Sequence, residues 1–399
     1  MDGSRCDFFK ILPSEITTLI LSRLPDLRTF SISKCVCKPW RNLLESDDFS
    51  KSKIKSPPAL ARLTSTKGKN STRCSIFEIE DEDEAVSEKI HDLHYHPLAN
   101  LEIPHGNQQS MEAISANGLL LLHPENGDPE EPFYVCNPIT REYIVLSRPK
   151  KYISLRYLLS YGLGVSEISG QYKVICISRG GGINCFHVYT LGTRKWRLVK
   201  GGAGSRLKFF SYGHTVCNGK LHWTVSDFRQ PLRICGFDVE TERFSIFYAP
   251  PVGECFGFIF APPVGKPFGK LCVLKDKLCF CYSRDSEIVV WVMKEYGDDD
   301  SWTMEYTMGT YTFDFDDHFC MDWTKMKCVF PIEIFKDGDV LMLMEKMRLI
   351  YYSKKTGKTQ QVGIFKDAVA KEDYFTFATI FTPSLLSLKS FGVEDVVAF

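Results

Sequence analysis

Between Asn117 and Ile364 the chain repeats itself, and this constrains its fold more than any other feature. One recurring element is a tight polar turn followed by an apolar strand. It reads Asn117-Gly118 before Leu119 to Leu122, Asn218-Gly219-Lys220 before Leu221 to Val225, Lys275-Asp276-Lys277 before Leu278 to Tyr282, and Asp337-Gly338-Asp339 before Val340 to Met344. The other element is a strand, a polar turn and a second strand. It spans Phe133 to Leu146, Phe186 to Val199, Ile234 to Phe247, Val289 to Thr307 and Leu349 to Ile364. Turn residues that tolerate positive φ, set between β-branched and aromatic runs, are hairpin signals. The copies recur about every fifty to sixty residues, which suits four-stranded propeller blades with loop insertions. The five strand–turn–strand copies predict five blades. A sixth is expected from the C-terminal strands near Phe375 to Leu388 and the early strand near Cys74 to Ile79, because an unclosed ring leaves open sheet edges.

The first fifty residues have a different period. Pro13-Ser14-Glu15 opens a helix, with an acid in the first turn where the helix dipole favours it. Ile16, Leu19, Ile20 and Leu24 follow at helical spacing, and Pro25 stops the run. Asp26 can cap a second helix carrying Leu27 and Phe30, with Ile32 a further candidate. Pro39 suits the first turn of a third, in which Trp40, Leu43 and Leu44 share a face. Three short helices bury little surface alone, so such a unit needs a partner. The fold class expected is therefore α+β by segment: a small three-helix unit followed by an all-β domain, a β-propeller of about six blades.

This helical segment resembles the F-box. The residues that carry the resemblance are Leu12-Pro13, Glu15-Ile16, Ile20 to Pro25, Leu27, Phe30, Ser33 to Lys38, Trp40-Arg41, Leu43-Leu44 and Asp47-Asp48-Phe49. Asp26 and Lys34 depart from the usual pattern. The resemblance implies binding to the Skp-type adaptor of a cullin–RING ubiquitin ligase. It assigns that contact to Leu12, Pro13, Ile16, Ile20, Leu24, Leu27, Phe30, Val36, Trp40 and Leu43, some of which must also form the unit's own small core. The β region resembles the F-box-associated domain of plant F-box families. The match runs through Tyr161-Gly162-Leu163-Gly164 with Gln171 to Val174, read as a glycine turn and strand, then Val188 to Arg197, Asn218 to Trp223, Phe237-Asp238-Val239, and Val290 to Tyr296 continuing to Ser301-Trp302. It implies a kelch-like propeller that captures a protein substrate.

Composition narrows the remaining classes. Forty-nine basic and 49 acidic residues cancel, which argues against a partner that is bulk nucleic acid or an anionic membrane. No apolar run approaches the length needed to span a bilayer, and Met1 to Lys10 lacks the pattern of a signal peptide. The 15 scattered cysteines then read as small buried hydrophobes in a reducing compartment, cytoplasm or nucleus. Residues 51–73, with Pro57-Pro58 and a polar stretch from Thr64 to Thr72, are expected as a linker between an F-box at 1–50 and the propeller-like domain at 74–399. On that division, the region from about Ile76 should fold alone.

Catalytic motifs are absent from the spelling. No nucleophile elbow, phosphate loop or His-Glu-x-x-His occurs. Gly180 to Gly182 and Gly201 to Gly204 read as turns between strands, His91, His94 and His96 as a loop, and the acidic run Glu80 to Glu84 as solvated. Trp196, Trp223, Trp291 and Trp302 read as packing residues within blades. No catalytic residue, metal ligand or cofactor is expected. The competing classes are a propeller that binds or transforms a small molecule, and an F-box protein acting outside the ligase.

Overall fold

A computed structural model describes residues 12–24, 29, 32–33, 36–44, 58–66, 70–79, 98–105, 111–124, 132–149, 158–180, 182–200, 202–209, 214–226, 232–251, 268–284, 287–309, 329–344, 348–361, 373–393 and 395–398. Two helices lie in the N-terminal part, α1 (Ser14–Leu21) and α2 (Lys38–Leu44). Of the expected middle helix, Thr29, Ile32 and Ser33 are helical, with the Ser33 hydroxyl donating to Thr29 O, while Leu27 and Phe30 fall outside the described residues, as do the histidine cluster and the acidic run. Helix α1 ends at Leu21 rather than running on to Leu24, because a turn at Ser22-Arg23 breaks it before Pro25.

The β region is a six-bladed propeller. Blade I is built from both ends of the sequence, with β25 (Asp373–Phe381) innermost, then β1 (Ala59–Thr66), β2 (Ser71–Glu78) and β3 (Ala99–Pro104). Blade II comprises β4 (Met111–Ala116), β5 (Leu119–Pro124), β6 (Phe133–Asn137) and β7 (Glu142–Leu146), with β26 (Val397–Ala398) added at its outer edge. Blade III comprises β8 (Leu158–Val165), β9 (Tyr172–Gly180), β10 (Ile183–Thr190) and β11 (Trp196–Val199). Blade IV has the short β12 (Lys208–Phe209) and β13 (Thr215–Cys217), then β14 (Lys220–Ser226), β15 (Arg233–Asp238) and β16 (Phe244–Tyr248). Blade V comprises β17 (Phe268–Leu274), β18 (Lys277–Arg284), β19 (Glu287–Met293) and β20 (Trp302–Gly309). Blade VI comprises β21 (Val329–Ile334), β22 (Val340–Met344), β23 (Arg348–Tyr352) and β24 (Thr359–Gln361).

Both repeat elements take their expected places. The turn-plus-strand copies join first and second strands, with positive φ at Asn117, Gly118, Asn218, Gly219, Lys275, Asp276 and Gly338. The strand–turn–strand copies are the third and fourth strands of blades II to VI. Two expectations need correction. Residues 59–66 and 71–73, placed in a linker at 51–73 by their polar surroundings, are strand: 59–66 form β1, between β2 and β25, and 71–73 open β2. In β1, Ala59, Leu60, Ala61 and Leu63 are buried; a short strand with two alanines and little alternation is easily read as coil. Tyr161-Gly162-Leu163-Gly164 is a strand rather than a turn. Its glycines answer to close approach: a Cβ at Gly162 would lie 2.9 Å from the Trp223 ring, and one at Gly164 2.7 Å from Val239.

Each of the six junctions between neighbouring blades holds one apolar cluster. This explains the unbroken Leu119 to Leu122 run. Leu119 and Leu121 face blade III while Leu120 and Leu122 face blade I, so the strand is covered on both sides. Three tryptophans tie adjacent blades: Trp196 Nε1 donates to Ser147 O at 2.6 Å, Trp223 Nε1 to Tyr161 O at 3.3 Å, and Trp302 Nε1 to Tyr248 O at 3.1 Å. Trp223 is wholly buried between blades III and IV, against Phe209 and Gly162. Trp223→Ala is expected to cost about 3–5 kcal/mol, read as a lower urea midpoint at unchanged slope.

The alternating strands give the ring two unlike ends. One end carries the tight turns, between first and second and between third and fourth strands. At the other, the fourth strands end at Pro104, Leu146, Val199, Tyr248, Gly309 and Gln361, and the chain passes to the next blade.

Candidate functional site

The helices sit at the tight-turn end. Leu21 of α1 and Leu44 of α2 are buried together with Leu385, which follows β25. Leu24, Trp40 and Leu43 pack on this cluster from the helical side, and Leu98 and Ile139 from blades I and II. The opposite face of α1 is uncovered. Ile16, Leu19 and Ile20, at i, i+3 and i+4, are 44%, 49% and 42% exposed. Ile32 and Val36 are likewise exposed. Five large apolar side chains are thus open to solvent between Ile16 and Val36.

The ten residues assigned to the adaptor contact thus divide. Ile16, Ile20 and Val36 are exposed with Pro13, and Leu12 is half-buried. Leu24, Trp40 and Leu43 are half-buried and face the propeller cluster. Leu27 and Phe30 lie outside the described residues. Leu19 and Ile32 join the exposed set though the resemblance did not single them out, and Leu21 and Leu44 carry the packing. Helical spacing already grouped Leu19 with Ile16 and Ile20; nothing in the local spelling said which face would meet the propeller.

Burial dominates the titration of the propeller's interior groups. Burial pushes the thiols of Cys74, Cys176 and Cys235 up to about 12, so they stay protonated. Burial also lowers His123 to about 4, helped by the Arg148 guanidinium, and lowers His222 to about 4. The His222 Nε2 lies 2.6 Å from the Tyr296 hydroxyl across the junction of blades IV and V. Lys173 Nζ donates to Val239 O at 2.6 Å and pairs with Glu242 at 2.8 Å, joining blades III and IV. Arg197 binds the same Glu242 carboxylate from its exposed side. Among the described residues no three His, Cys, Asp or Glu side chains are placed to hold a metal ion.

The F-box associated beta propeller domain family matches residues 64–383 of this chain. The chain belongs to that family. The resemblance read from the β repeats is thereby borne out, and so is the plant character it implied: F-box protein At3g07870 of Arabidopsis thaliana is 24% identical over 383 residues, covering 87% of this chain and 86% of that protein. The putative F-box protein At1g55070 of the same plant is 23% identical over 313 residues, covering 74% of this chain and 71% of that protein. F-box/kelch-repeat protein At3g23880, also from Arabidopsis thaliana, is 24% identical over 312 residues, covering 73% and 78%. Among solved structures, TolB from Acinetobacter baumannii aligns with a TM-score of 0.42 at 11% identity, over 82% of this chain and 67% of that one.

Proposed function

We propose that this chain is the non-catalytic substrate receptor of a ubiquitin ligase of the Skp-type adaptor, cullin and F-box class. The observation that carries the reading is the uncovered apolar face of α1, on a chain of the F-box associated propeller family. A monomer that leaves Ile16, Leu19 and Ile20 open has a reason to do so when an adaptor covers them. Through the adaptor, cullin and RING subunits would be recruited, in the cytoplasm or nucleus. The helices, Leu385 and Ile139 occupy the tight-turn end of blades I and II, which favours the other end, where the blades are joined, for capture of a protein substrate. There, successive connections can vary without disturbing the strands.

Ile20→Asp and Val36→Asp place a charge on the open face. Each is expected to weaken binding of purified adaptor by about 2 kcal/mol or more, over tenfold in affinity, measured by calorimetry. The urea midpoint should stay near that of the parent chain, since both side chains are already exposed. Undiminished adaptor binding in both variants would overturn the reading.

A further inference from the structure

The chain continues past β25. Residues 382–398 run on as a strap across the tight-turn end, and almost all of it lies beyond the family match. We propose that this strap is the seat of the helical unit, fixing helices and propeller as one rigid arm. The proposal rests on the packing alone and does not depend on which partner the helices bind.

The strap is anchored independently of the helices. Asn137 Nδ2 donates to Ser384 O at 3.0 Å and to Leu386 O at 2.7 Å. The Glu142 carboxylate accepts from Ser387 Oγ at 2.9 Å and from the Leu388 N–H at 2.7 Å. Leu388 is fully buried in the cluster between blades II and III, and Phe391 packs edge-on to Tyr172 at 5.4 Å. The strap then turns at Gly392 and pairs Val397 with Tyr143 on the outer edge of blade II. The blades are shaped to receive it. A side chain at Gly118 would collide with Ser384, and one at Gly192 with the carbonyl of Phe391.

From this anchored segment Leu385 projects to the other side, into Leu21 and Leu44. One leucine thus completes a core that α1 and α2 are too short to build for themselves. The same contact decides which helical side chains stay open. Leu21, Leu24, Trp40, Leu43 and Leu44 are spent on the seat, which turns Ile16, Leu19 and Ile20 away from the propeller.

Hydrogen exchange on the full chain tests this. Leu385→Glu is expected to speed amide exchange in Ser14–Leu21 and Lys38–Leu44 on the order of tenfold or more, while Glu287–Met293 across the ring keeps its protection. Leu44→Glu should free both helices in the same way yet leave the anchored strap protected. Leu385→Met, which keeps an apolar contact, should exchange like the parent chain. Helices that stay protected in Leu385→Glu would overturn the proposal. So would a loss of protection spread evenly over blades and helices, since Leu385 would then belong to the propeller core and not to a seat.

Discussion

A fragment beginning at Ile76 is expected to lose cooperative folding, whereas one beginning at Pro58 keeps it. Strand β1 pairs with β25 on one side and β2 on the other, from Ala59 with Phe381 and Glu78 onward. Starting at Ile76 removes β1 and most of β2. Strand β25 then has no partner, Leu60 leaves the cluster that joins blades VI and I, and Ala61 and Leu63 leave the one that joins blades I and II. Two of six junctions are damaged at once, against a total stability of about 5–15 kcal/mol for an ordinary domain. Starting at Pro58 removes the helices, which touch the six junctions only at the rim, through Leu98 and Ile139 beside the cluster of blades I and II, and leaves every strand in place. Urea titration of the two fragments, followed by tryptophan fluorescence, checks this. A sigmoidal transition of equal slope in both would show that the ring closes without β1.

Acid is expected to unfold the propeller well before its carboxylates are protonated. Burial lowers His123 to about 4, His214 to about 3 and His222 to about 4, each from an ordinary value near 6.5. Their rings are held as neutral partners: the Leu163 N–H lies 3.3 Å from His214 Nε2, and His214 packs 5.9 Å from Trp223. The unfolded chain protonates these rings as pH falls below about 6.5, and the native chain does not until about pH 4. The unfolded state therefore binds more protons across that window, and stability rises with pH through it. Stability is fully present above about pH 7 and is lost on acidification, by about 2 kcal/mol per histidine at pH 5. Glu242 adds to the loss at lower pH. Burial raises its carboxyl, but hydrogen bonds and charge from Arg197 and Lys173 outweigh this and leave it below the usual range. The measurement is the urea midpoint between pH 8 and pH 5, repeated for His222→Gln, whose slope against pH should be shallower. A midpoint flat across this range would contradict the buried neutral state of the rings.

Local chemistry made the blades legible. Asn117-Gly118, Asn218-Gly219 and Lys275-Asp276 adopt the positive φ of tight turns, and hairpin repeats follow wherever such turns punctuate apolar runs. Blades III, V and VI are plain antiparallel meanders, so their pairing is set by neighbours along the chain. The helical spacing of Ile16, Leu19 and Ile20, and the start of α2 around Pro39, were readable for the same reason. Residues 59–66 were not: β1 forms a hairpin with β2, but its other edge is covered by β25, more than three hundred residues away. Gly162 was read as a turn because a glycine's need for space is invisible until Trp223 of the next blade is in place. The division of the helical face was hidden likewise: Trp40 and Ile20 are both apolar and both at helical spacing, and contacts with Leu385 of the strap and with Leu98 and Ile139 of the blades decide that one turns inward and the other outward. Sequence by itself determined what each segment does within hydrogen-bonding reach of its neighbours. Ring closure, the room left at the glycines and the choice of open face were decided by tertiary structure, because each is a contact between segments whose meeting no local pattern encodes.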